Sequence, residues 1–242
     1  MKIYTVIRKG EGHPVFCEDF LVTQYVSHSY YIGAVLDGCS AGLHSHFASS
    51  LMGKLISKIA RNLPYKDFLE NDTQLKSSEI AKEILRKLFL EFPKLIDILG
   101  LTIAEILTTI TLLVYNEARE EAFIIAMGDG FIAIDGEIIE IDQNNAPEYV
   151  AYSLHKDFET WFNNQKYTYE ITKPKEVAIS SDGISTFRSI KIASRNIDPI
   201  EYLLKDNNLS ENPQMLVRKC NILGNKYGYK PYDDVSIIRI RF

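Results

Sequence analysis

Apolar stretches that read as β-strands in this chain repeatedly begin or end on an acidic residue. Asp19 opens the run over 20–27, Asp37 closes Tyr30 to Leu36, Asp182 follows Val177-Ala178-Ile179, and Asp233 precedes Val235 to Phe242. The midpoint between Asp19 and Asp37 is His28, inside the polar break Ser27-His28-Ser29. A hairpin turning there brings both carboxylates to the same end of a sheet. Antiparallel pairing of 176–181 with 234–242 would do the same for Asp182 and Asp233. Carboxylates crowded within a few Å cannot all stay ionised unless a cation neutralises them, and an all-oxygen donor set suits hard ions such as Mg²⁺ or Mn²⁺. Taken singly, Asp-Gly at 37–38, 129–130 and 182–183 are ordinary turn dipeptides and Asp233-Asp234 reads as a solvated turn. The set and its order point to a metal.

The rest of the chain fills in a mixed architecture. Segments 2–8, 108–116, 121–127, 131–135, 137–141, 166–172 and 176–181 are further strands, and Asp135-Gly136 is a two-residue hairpin signal. Between Phe47 and Ile59 the apolar residues Phe47, Leu51, Leu55 and Ile59 recur every four positions, which predicts an amphipathic helix. A second helix is expected from Ser78 to Leu90, ended or kinked by Pro93, and a short one near 156–163. Later helices are expected near 198–205 and 211–223, the last with Ser210 as N-cap and Gly224 just past its end. Strands come in groups separated by helices, not in βαβ alternation, so the fold class is α+β with antiparallel sheets.

With no Pro-, Gly- or Ser-rich linker and no repeat, residues 1–242 are expected to form a single domain. A net charge of −5 with scattered Lys and Arg gives no footprint for nucleic acid. Cys17, Cys39 and Cys220 form no CxxC pair, which argues against a disulfide framework or zinc ribbon and fits a reducing, cytoplasmic setting. The N-terminus reads as a strand, not a signal peptide, and no apolar run is long enough to span a membrane. A cytoplasmic monomer with neither nucleic-acid nor membrane partners is expected.

In order along the chain stand Cys17-Glu18-Asp19-Phe20, Ala34-Val35-Leu36-Asp37-Gly38, Thr108-Thr109-Ile110-Thr111, Ala126-Met127-Gly128-Asp129-Gly130, Ser180-Ser181-Asp182-Gly183-Ile184 and Asp233-Asp234-Val235-Ser236. This succession resembles the motifs of the metal-dependent protein phosphatases of type 2C, over essentially the whole chain. The resemblance implies an antiparallel β-sandwich flanked by helices on both faces, with two Mn²⁺ or Mg²⁺ ions in a cleft at one end. It implies that Asp37 bridges the ions, that the Gly38 carbonyl binds one, and that Asp182 and Asp233 bind the other. Glu18 or Asp19 would act through metal-bound water, and Asp129 would serve a third, weaker site shared with Asp182. The implied activity is hydrolysis of phosphoserine and phosphothreonine in a phosphoprotein by metal-activated water, with no nucleophilic side chain.

The chain departs from the family at several places. Pro14 stands where a phosphate-binding Arg is common, which leaves His13, Arg8 or Lys9 to bind phosphate, with His13 the favoured candidate. Cys39 stands where many members carry a His after Asp-Gly, and Ser40-Ala41-Gly42 replaces a Gly-Gly. Asp234 takes an Asn position and Gly130 a Ser position. The missing Arg motivates a rival reading, a pseudophosphatase that binds phosphoproteins or a partner without turnover.

Gly38-Cys39-Ser40-Ala41-Gly42 also matches the G-x-S-x-G elbow of serine hydrolases, with Ser40 as nucleophile, although the last histidine is His155 and no HGGG-like segment occurs. Cys39 reads as an inert thiol, since no Arg follows before Arg61 to close an anion-binding loop. Gly128 to Ala133 matches a dinucleotide fingerprint, but a strand follows instead of a helix. His44 and His46, two apart on a helix, face different ways and read as cap or surface residues. The aromatic stretch from Tyr149 to Tyr169 is a substrate flap or core, with Trp161 assigned to the core.

Overall fold

Strands buried on both faces form the middle of the molecule. In β3 (Tyr30–Asp37) Tyr31 and Val35 point to one apolar cluster while Tyr30, Ile32, Ala34 and Leu36 point to another, so the strand is apolar throughout instead of alternating. The computed structural model describes residues 1–26, 29–63, 75–144, 147–189 and 197–242. The proposed hairpin turn at His28 lies outside these residues.

Two five-stranded antiparallel sheets face each other. One has the order β1 (Lys2–Arg8), β12 (Val235–Arg241), β9 (Glu176–Ser180), β6 (Gly130–Ile134), β7 (Glu137–Ile141). The other runs β2 (Asp19–Tyr25), β3, β4 (Ile110–Asn116), β5 (Glu121–Met127), β8 (Thr168–Thr172). Tyr31, Leu113, Ile124, Ile132, Ile179 and Ile238 fill the space between them. A two-stranded ribbon, β10 (Phe187–Ser189) with β11 (Tyr229–Pro231), lies beside them. Asp135 and Gly136 turn β6 into β7 with φ of 50° and 88°, the two positive values that an Asp-Gly hairpin turn requires.

Helices cover both outer faces, as expected. α1 (Ser45–Asn62) and α2 (Ser77–Leu99) lie on the β2–β5 side, where Met52, Ile56, Ile80, Ile84, Leu88 and Phe92 have no solvent exposure. Each such side chain contributes roughly 1.5–3 kcal/mol. Trp161, on α3 (Phe158–Asn163), packs on Phe89 with ring centroids 4.4 Å apart and belongs to this core. α4 (Pro199–Leu204) and α5 (Met215–Ile222) cover β1 and β12. There Arg239 and Lys219, both wholly buried, bind the carbonyls that α4 leaves unpaired at its end.

Three local expectations are corrected. α2 continues through Pro93 to Leu99, because Leu95 and Ile96 beyond it still pack on the core and outweigh the lost backbone bond. It stops at Gly100, where φ is 64° and the N–H of Leu101 donates to the Ile96 carbonyl. Gln214, not Ser210, precedes α5, since Asn212 and Pro213 first form a turn closed by the Gln214 N–H on Asn212 Oδ1. Gly224 does not end that helix either. The chain runs on through a π-helical turn, Leu223–Tyr227, and closes at Gly228 with φ of 73°.

Candidate active site

Register places the acidic residues. β2 and β3 pair so that Asp19 lies directly opposite Asp37 at one end of their sheet. The threonine motif holds that end: Thr108 Oγ1 and the Thr109 N–H both donate to the Asp37 carbonyl at 2.8 Å, and Thr109 Oγ1 accepts from the Asp37 N–H at 3.1 Å. Gly38 must be glycine here, because a Cβ would lie 2.1 Å from the Ser45 carbonyl oxygen.

In the facing sheet β9 runs antiparallel to β12, and the Ser181 N–H donates to the Ser236 carbonyl just beyond the ladder. Asp182 and Asp233 flank this end. A Cβ on Gly183 would come 1.8 Å from the Asp234 carbonyl oxygen, so only glycine lets the two segments touch. Ser181 ties the sheets together, donating from Oγ to Asp19 Oδ2 at 2.7 Å.

Asp19, Asp37, Asp182 and Asp233 form one electrostatic unit. Burial, then the charges of Asp19, Asp182 and Asp233, raises the Asp37 carboxyl well above the usual range. Burial pushes Asp19 up to about 7, against hydrogen bonds from Ser181 and Ser236 that lower it. Burial also raises Asp182, with Asp233 and Asp129 adding to it, and raises Asp233. Asp129 sits at the rim, where its Oδ1 accepts from the Gln143 N–H at 2.7 Å. Burial raises it too.

Two buried oxygens here, Asp19 Oδ1 and Asp182 Oδ1, have no hydrogen-bond partner. An unpaired buried carboxylate oxygen is costly unless a cation meets it. With the carboxylate donors around them, they fit a hard divalent ion.

His13 also reaches the site. Its Nδ1 lies 2.8 Å from Asp234 Oδ2, and its Nε2 lies 3.5 Å from Asp233 Oδ1 and 3.6 Å from Glu18 Oε2. Burial lowers its pKa, but Asp234, Glu18 and Asp233 together hold it above the ordinary imidazole value. The other two candidate cations turn elsewhere. Arg8 donates to Asn221 Oδ1 and the Val217 carbonyl, and Lys9 to the Pro14 carbonyl. His44 precedes α1 without capping it, and His46 stacks on Phe16.

Asp234 is the residue whose importance sequence reading missed. It is 1% exposed and its carboxylate accepts from the backbone N–H groups of Gly10 and Glu18 as well as from His13. The only signal was its departure from the family's Asn. Tyr149, at the start of the aromatic stretch read as substrate flap or core, lies near Asp37: burial, then contact with Cys39, then the charge of Asp37 raise its phenol. It lines a cavity of about 500 Å³ with Tyr152, Lys156 and Trp161.

A profile of the family described as Protein phosphatase 2C matches residues 10–216. The chain belongs to the protein phosphatase 2C family. Solved phosphatase structures share its fold. A bacterial serine phosphatase carrying a point mutation aligns with a TM-score of 0.64 at 13% identity, covering 100% of this chain and 98% of that one. The S. agalactiae serine/threonine phosphatase gives 0.61 at 17% identity, covering 98% of each. RsbX in complex with magnesium gives 0.55 at 15% identity, covering 97% of this chain and 92% of that one. No curated protein sequence gives a significant match. The family profile stops short of Asp233 and Asp234, and the pairing of β12 with β9 brings Asp233 close enough for its charge to act on Asp182.

Proposed function

We propose that the chain is a Mn²⁺- or Mg²⁺-dependent phosphatase that hydrolyses phosphoserine and phosphothreonine in proteins. The observation that carries the reading is the pairing of Asp19 with Asp37 at the mouth of the sandwich, facing Asp182 and Asp233, with two carboxylate oxygens left unpaired. Asp37, Asp182 and Asp233, with the Gly38 carbonyl, would hold two ions, and Asp129 a third, weaker one. Divalent ions bound there supply Lewis acidity, which makes water a nucleophile at neutral pH and offsets charge on the phosphoryl oxygens.

The chain's own groups do the rest. Ser181 fixes Asp19, the threonine pair fixes the Asp37 backbone, and Asp234 fixes His13 and the Glu18 backbone. Glu18 Oε2 accepts from Ser40 Oγ at 2.7 Å, which leaves its other oxygen to orient or deprotonate water. Three free cysteines support a reducing, cytoplasmic setting. Among the described residues no helix is long and apolar enough to cross a membrane.

The test is turnover of phosphoserine and phosphothreonine peptides and an aryl phosphate, with and without EDTA. Activity that needs Mn²⁺ or Mg²⁺ supports the reading, and full activity in excess chelator ends it. Two observations favour other readings. Arg8 and Lys9 are committed elsewhere, which favours a pseudophosphatase; tight phosphopeptide binding without turnover would establish that. Ser40 Oγ lies 3.5 Å from His13 Nε2, with Asp234 behind the ring, in the order of a hydrolase triad. Its stronger bond is to Glu18, so a serine hydrolase probe should leave Ser40 unlabelled.

A further inference from the structure

Granting the metal-dependent reading above, we propose that His13 is a nitrogen ligand of one of the divalent ions and tilts the centre toward Mn²⁺ over Mg²⁺. Its orientation is fixed from behind. Asp234 is buried, holds the Gly10 N–H at 2.6 Å on one oxygen, and presents the other to His13 Nδ1 at 2.8 Å. A carboxylate accepting from Nδ1–H leaves the lone pair on Nε2, the arrangement found behind metal-binding histidines.

Nε2 then faces three oxygens: Asp233 Oδ1 at 3.5 Å, Ser40 Oγ at 3.5 Å and Glu18 Oε2 at 3.6 Å. These separations exceed a good hydrogen bond. They suit donors around a common ion, since bonds of about 2.0–2.2 Å set adjacent ligands roughly 3.0–3.5 Å apart. Asp234 is not itself a ligand, because His13 and two backbone N–H groups already occupy its oxygens.

The other role for His13, a direct contact to phosphate in place of the missing Arg, meets an electrostatic obstacle. A phosphate dianion approaching Nε2 would meet the Glu18 and Asp233 carboxylates first, and like charges at that distance repel strongly in a partly buried site. A metal ion in that position is attracted by the same groups. Imidazole is a better donor to Mn²⁺ and later transition ions than to Mg²⁺, which prefers oxygen.

The experiment is pulsed EPR on the purified full chain loaded with Mn²⁺, paired with calorimetric titration of Mn²⁺ and Mg²⁺. The spectrum of the wild type should show ¹⁴N coupling from a coordinated imidazole. That coupling should persist in the His44→Ala/His46→Ala double variant and vanish in His13→Gln. Mn²⁺ affinity should fall about tenfold or more in His13→Gln, the scale seen when the groups supporting a metal ligand are removed. In His13→Asp, which offers oxygen instead of nitrogen, binding should persist with its preference moved toward Mg²⁺. Bound Mn²⁺ without nitrogen coupling, or coupling that survives His13→Gln, overturns the ligand role and leaves the metal-dependent phosphatase standing. Failure of the wild type to bind either ion removes both.

Discussion

Buried charge is handled in opposite ways at two places in this molecule. Where α4 ends, Arg239 and Lys219 are fully buried and every donor is used. Arg239 reaches Glu176, Asn207 and the carbonyls of Leu203, Lys205 and Asp206, and Lys219 reaches the Tyr202 carbonyl and both the carbonyl and carboxylate of Asp206. At the mouth of the sandwich, four carboxylates crowd together and two of their oxygens have nothing to bind. The first cluster is complete within the chain and holds a helix end in place. The second leaves Asp19 Oδ1 and Asp182 Oδ1 without a hydrogen-bond partner, which is the feature the proposed metal site rests on. Burial alone therefore does not separate the two clusters; the pairing of their polar atoms does.

The comparison breaks most visibly if the α4 cluster is cut. Arg239→Ala leaves Glu176 with only its longer contact to Arg241 and strands the Leu203 and Lys205 carbonyls and the Asn207 amide oxygen, and should cost about 3–5 kcal/mol in urea denaturation. Added Mn²⁺ should not restore it. A loss below about 1 kcal/mol would show that water replaces the guanidinium.

Asp37→Asn should act in the reverse sense. Turnover should fall at least about a hundredfold, near 2.7 kcal/mol of transition-state stabilisation. The melting temperature of the metal-free chain should nevertheless rise, since one charge leaves a crowded site. A lower melting temperature would mean that the carboxylates are not in conflict.

The pH dependence of the metal-free chain sharpens the same point. Asp19 and Asp37 hold protons more tightly folded than unfolded, so their contribution to stability is full below the usual aspartate range. It is lost as pH rises through the folded values, about 7 for Asp19. Stability of the metal-free protein should therefore decline from about pH 4 to 7 or beyond, and saturating Mn²⁺ or Mg²⁺ should flatten the curve. A rise over that range in chelator would contradict the crowding.

Smaller effects follow at the rim. Asp129→Asn keeps an oxygen for the Gln143 N–H and affects only the weaker outer ion proposed beside Asp182, so it should cost about tenfold or less. Cys39→Ser should stay within about twofold, as for substitutions outside the working groups. Complete loss there, with metal binding intact, would give the thiol a chemical role.

What could be read from the sequence were features set by short-range rules. The polar break Ser27-His28-Ser29, midway between two apolar runs, was enough to set Asp19 against Asp37, although the turn residue His28 itself lies outside the described structure. Asp135-Gly136 declared its hairpin because few other pairs tolerate two positive φ angles. What escaped depended on distant partners. α2 passes Pro93 only because Leu95 and Ile96 have a core to reach, and no local signal states that. Asp234 looked like a turn residue because its partners Gly10, His13 and Glu18 lie more than two hundred positions away. Tyr149 reaches Cys39 through the fold of the segment after β7, which follows no period.

The union of β1 with β12 has a consequence for how the protein is made. His13 meets Asp234 across 221 residues of chain, and Lys2 to Arg8 find their partners only in Val235 to Arg241. A ribosome delivers the N-terminal part first, at about 5–20 residues per second. β1 must therefore wait on the order of tens of seconds without its sheet partner, until β12 has been made. Until then Glu18 and Asp19 exist without the acids that complete the site. By topology, this cluster of acids cannot assemble on the nascent chain before Asp233 and Asp234 have been made.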